Sequence, residues 1–65
     1  MQEESVLHLY LTKNQVAALF ITLKNQPKLG RESGLIYQQL EKHLYEKIGL
    51  VELKELEERY QQGEL

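Results

Sequence analysis

The chain has 65 residues, of which 8 are Lys or Arg and 10 are glutamates, giving a net charge of -2, with no cysteine, one proline and 42% hydrophobic residues. A chain this short buries only about 60% of the surface its unfolded form exposes, so it holds at most one domain. The lack of cysteine excludes a disulfide framework and a Cys-ligated zinc site, which leaves self-association as the route to a larger core.

The longest unbroken apolar run, Val16 to Ile21, is far shorter than a membrane span. The charged opening Met1-Gln2-Glu3-Glu4 is unlike a signal peptide. A soluble, cytoplasmic protein without a membrane segment is expected. Charge is uneven: residues 1 to 49 carry six cations against five glutamates, whereas residues 50 to 65 carry Lys54 and Arg59 against five glutamates. A neutral front and an acidic tail disfavour nucleic-acid binding as a default, because a phosphate footprint usually shows as basic excess.

In chain order, Ser5 to Thr12 alternates, with Leu7, Leu9 and Leu11 separated by His8 and Tyr10. That period predicts a half-buried strand over about residues 5–12. Thr12-Lys13-Asn14-Gln15 has the form of a capping box, so a helix is predicted over about 13–25. Its apolar residues, Val16 to Ile21 and Leu23, point around most of the circumference, which calls for burial on more than one side. Pro27 breaks the chain before a second helix over about 31–48. There Ile36, Leu40, Leu44 and Ile48 recur every four residues, and Tyr37 and Tyr45 beside them are expected to pack into the core. Gly49 reads as a left-handed C-cap. A short third helix follows over about 51–62, with Leu53, Leu56 and Tyr60 on one face. The fold class read this way is mostly α with one N-terminal β-strand, in the order strand, helix, helix, short helix, forming a single domain over 1–65.

Little in the chain suits catalysis. The two histidines, His8 and His43, fall in different elements, and although spacing permits a Ser/His/Glu arrangement from Ser5 or Ser33, nothing singles it out. No enzyme activity, cofactor, metal site or small-molecule substrate is expected. His43 with Glu46 would supply only two metal ligands. Gly30-Arg31-Glu32-Ser33-Gly34 at a helix start could offer N–H groups to an anion, but Glu32 repels the same ligand and a turn with an N-cap is the favoured reading.

The lone strand is the informative feature. An isolated strand leaves its backbone groups unpaired, and no second alternating segment exists in the chain. The same strand of a second copy is the expected partner, pairing about a two-fold axis in a homodimer. This order of elements over about residues 5 to 46 resembles the ribbon-helix-helix family of DNA-binding dimers. The resemblance implies that Leu7, Leu9 and Leu11 are inward strand positions. It places Val16, Leu19, Phe20 and Leu23 with Ile36, Leu40 and Leu44 in the dimer core. It further implies that Val6, His8 and Tyr10 face bases, and that Arg31 and Ser33 hold a phosphate.

Two functions follow as expectations. One is a small dimeric, non-enzymatic protein-interaction module of adaptor or inhibitor type, meeting an unspecified protein through its acidic last helix at Glu52, Glu55 and Tyr60. The other is a DNA-binding regulator or antitoxin that resembles the ribbon-helix-helix proteins.

Overall fold

The computed structural model describes residues 6–65 and contains three helices, α1 (Lys13–Lys24), α2 (Arg31–Lys47) and α3 (Leu50–Gln61). Among the described residues there is no strand, which corrects the predicted fold class. Ser5, the first residue of the expected strand, lies outside the described residues. Residues 6–12 have no regular secondary structure, and residues 6–11 make no backbone hydrogen bond to another described segment. The physical reason is that alternation specifies a side facing protein and a side facing water, not a ladder. With no second strand among the described residues, the backbone groups of residues 6–11 are left to water.

The start of α1 is fixed by local chemistry. The Gln15 backbone N–H donates to Thr12 Oγ1 at 3.1 Å, and the Thr12 backbone N–H donates to Gln15 Oε1 at 2.9 Å. Two of the helix's orphan donors are thereby satisfied reciprocally. Residues 25–30 then connect to α2, whose N-cap is Gly30 without a side-chain bond. Gly49 is not a left-handed cap of α2. It sits at φ -72°, ψ 161° as the N-cap of α3, so two residues, Ile48 and Gly49, suffice to join the helices.

The left-handed residue is Gly63, at φ 76°. Behind it the Gly63 N–H donates to the Tyr60 carbonyl at 3.0 Å and the Glu64 N–H to the Arg59 carbonyl at 2.8 Å. This pair of bonds is a Schellman motif, and it turns Leu65 back to pack against the core.

Helix α1 is the centre of the arrangement. It packs on both α2 and α3, which share no comparable interface with each other. Phe20 meets Tyr37 of α2. Val16 lies near Leu40 and His43, so α1 and α2 run in opposite directions. On the other side, Lys13 pairs with Glu52 and Lys24 Nζ lies 3.0 Å from Glu57 Oε1, while the Thr22 and Tyr60 hydroxyls are 2.9 Å apart. These contacts align α1 and α3 in the same sense. The apolar circumference of α1 is therefore covered on two sides by its own chain, where the sequence reading gave that role to a second copy.

The core consists of Ala17, Phe20, Ile21, Leu44, Ile48, Leu53 and Leu56, with Val16, Tyr37, Leu40, Tyr60 and Leu65 partly buried against it. Its buried side chains contain no unpartnered polar atom among the described residues. Tyr45, expected in the core, is 53% exposed. On α2 it lies to the far side of the line through Tyr37, Leu44 and Ile48.

Candidate functional site: an apolar face between the first segment, α1 and α2

The residues that sequence reasoning assigned to a dimer core divide into two groups. Phe20 and Leu44 are fully inside the chain's own core, and Val16, Leu23 and Leu40 are half-buried. Leu7, Leu9, Leu11, Leu19 and Ile36 are exposed. The exposed and half-buried members are not scattered. Val16, Leu19 and Leu23 form one stripe at helical spacing along α1, and Ile36 and Leu40 form another along α2. The stripes meet where Val16 and Leu40 line one groove together with Leu9 and Leu11 of the first segment.

This face has a definite cause. α1 directs Ala17, Phe20 and Ile21 into the core, so Val16 and Leu23 fall at its margin and Leu19 beyond it. α2 buries Leu44, and Ile48 just past its end is buried as well, so Ile36 falls past the edge that Leu40 occupies. Leu19 is 38% and Ile36 49% exposed. Alongside them Leu11 is 39% and Leu9 65% exposed, so the first segment lies along the groove without closing it.

At the end of the groove, between Leu11, the start of α1 and the end of α2, lies a cleft of about 160 Å³. Its walls are Leu11, Val16, Leu44 and Ile48. Its remaining lining is basic: Lys13, His43 and Lys47. Sequence reasoning missed this rim. The signal was present, since His43 and Lys47 each follow a core position, Leu40 and Leu44, by three residues and so share that edge of α2.

The remaining candidates are placed differently from expectation. Val6 and Tyr10 are 94% and 100% exposed, and His8 is exposed too, on a segment without a sheet to present them. Arg31 opens α2 and is exposed, Ser33 is half-buried, and Glu32 stands in the same first turn. The proposed partner face on α3 is mostly engaged within the chain: Glu52 pairs with Lys13, and Tyr60 packs on the core with its hydroxyl against Thr22. Of those three residues only Glu55 points outward.

The Lys24 ammonium, hydrogen-bonded to Glu57 and attracted by its charge, is held above its ordinary value of 10.5 against a small opposing effect of burial. No group of three or more His, Asp or Glu side chains suited to a metal occurs among the described residues. No helix among them is long and apolar enough to cross a membrane.

Comparison with protein-family models, with curated proteins and with solved structures returns no match, so a functional reading has only this chain's geometry to stand on.

Proposed function

We propose that the protein is a self-associating, non-enzymatic protein-interaction module whose α1–α2 face is covered by a second copy of the same chain. The observation that carries the reading is the uncovered face of Leu19, Leu23, Ile36 and Leu40, continuous with Leu9 and Leu11. Contiguous apolar patches of this kind on small proteins mark interaction sites.

A second copy is the occupant this reading takes, because a chain of 7.7 kDa buries only about 60% of its unfolded surface and self-association is the route left to a larger core. This dimer does not use the strand pairing that the sequence suggested; its contacts are helix faces.

The test is mass in solution. Sedimentation equilibrium at micromolar concentration is expected to give twice the chain mass of 7.7 kDa. Leu19→Glu and Ile36→Glu, both at already exposed positions, are expected to return it to monomer with helicity kept. A wild-type chain that stays monomeric at hundreds of micromolar overturns the proposal. The DNA-binding alternative has no described feature in its favour, because the segment carrying Val6, His8 and Tyr10 forms no ribbon. A salt-sensitive gel shift would nevertheless count for it.

A further inference from the structure

We infer that the cleft at the end of α2 is a recognition pocket for one bulky apolar side chain that carries a carboxylate nearby, supplied by an acidic amphipathic segment of a partner protein. This deepens the protein-interaction reading and rests on it.

The size of the cleft selects a side chain. Its volume is about 160 Å³, and an apolar cavity of about 150 Å³ admits a guest as large as benzene. Leu11, Val16, Leu44 and Ile48 make its walls apolar, so a buried leucine or phenylalanine gains hydrophobic stabilisation there, whereas a polar group would lose its water.

Charge selects what accompanies that side chain. The chain as a whole is negative, at -2, yet every ionisable residue lining this cleft is Lys or His. Lys13 is already paired with Glu52 across the α1–α3 interface. Lys47 and His43 form no ion pair among the described residues, and they sit one helical turn apart on the same edge of α2. A carboxylate three or four residues from the inserted side chain, on an incoming helix, falls at the spacing of that rim. Lys47, opposite in sign to the molecule's average and without an ion pair among the described residues, favours an acidic segment over a basic one during encounter.

The experiment uses the full chain, isotope-labelled, and two short helical peptides that differ at one position. One carries a leucine followed four residues later by a glutamate, and the other has glutamine in place of that glutamate. Titration of the glutamate peptide is expected to shift the methyl signals of Leu11, Val16, Leu44 and Ile48. The glutamine peptide, and the Lys47→Ala variant with the glutamate peptide, are expected to bind about tenfold more weakly, the scale of one charge-assisted hydrogen bond. Circular dichroism of Lys47→Ala checks that the helices are retained. No shift with either peptide at millimolar concentration overturns the inference. Equal binding of the two peptides, or shifts centred on Leu19 and Ile36 in place of the cleft, does so as well. Sedimentation of the same samples separates the two readings, since a monomeric wild type with peptide binding intact removes only the self-association, and a dimer indifferent to both peptides removes only the pocket.

Discussion

Phe20 of α1 and Tyr37 of α2 stack face to face, with ring centroids 5.0 Å apart and planes inclined by only 7°. Phe20 is one of the two largest fully buried side chains, and Tyr37 covers it from the half-buried margin. The pair joins the two helices whose outer edges carry the apolar face, so the packing that stabilises the fold also positions that face.

Phe20→Ala is accordingly expected to cost about 3–5 kcal/mol, and a domain this small has little more than that in reserve. Loss of the cooperative urea transition and of most helical circular dichroism would confirm it. Tyr37→Leu, which keeps apolar bulk but removes the ring stack, is expected to cost only about 1 kcal/mol. Equal damage from the two substitutions would contradict the assignment of Phe20 as the buried member.

Thr12→Ala removes the hydroxyl that receives the Gln15 N–H. The expected cost is about 1 kcal/mol, read as a fall in melting temperature of about 4–8 °C for a chain of this size. Thr12→Ser keeps the oxygen and should stay within measurement error of the wild type.

Two glycines are expected to respond in opposite directions to alanine. Gly63 is held at φ 76°, and alanine there forces a left-handed conformation costing about 1 kcal/mol or more. Gly34 lies inside the first turns of α2 with nothing within 4 Å of an added Cβ. Alanine at Gly34 should stabilise by about 0.4–1 kcal/mol. Thermal melts of the two single variants check both signs, and a gain from Gly63→Ala would show that the C-terminal turn is not held in this form.

Lys24 and Glu57 give the fold an alkaline limb. Because the Lys24 value is raised above 10.5, the folded state binds its proton more tightly than the unfolded state. The pair's contribution is therefore fully present below about pH 10.5 and is lost as pH rises through the folded-state value. Lys24 is 49% and Glu57 31% exposed at the side chain, so solvent screening holds the contribution to less than about 1 kcal/mol. Urea midpoints measured from pH 9 upward should fall less steeply for Lys24→Met than for the wild type. Parallel curves for the two would show that the pair carries no stability.

Legibility in the sequence followed how local the physics was. Thr12 and Gln15 announced the start of α1 because a capping box needs only four residues, and its bonds are present as drawn from the sequence. Pro27 marked the break because its ring acts on its immediate neighbour. The spacing of Leu40, Leu44 and Ile48 placed one face of α2 inward for the same reason. Val6 to Leu11 misled because period two says only which residues share a side, and a largely exposed segment can carry that pattern without pairing as a strand. Gly49 misled because it serves both the end of α2 and the start of α3, and its extended backbone belongs to the latter. The crowded apolar surface of α1 was legible, but whether its cover came from the same chain or a twin depended on tertiary packing, which no window of residues contains. Of the rim, His43 and Lys47 were legible as one edge of α2, but Lys13 comes from another helix and joins them only in the folded molecule.

The central position of α1 has a bearing on cooperativity. Because α2 and α3 each lean on α1 and share no comparable interface with each other, neither can be held in place once α1 loosens. Loss of either outer helix strips one side of α1, where Leu53 and Leu56 supply the cover on the α3 side, so protease resistance should require all three helices together.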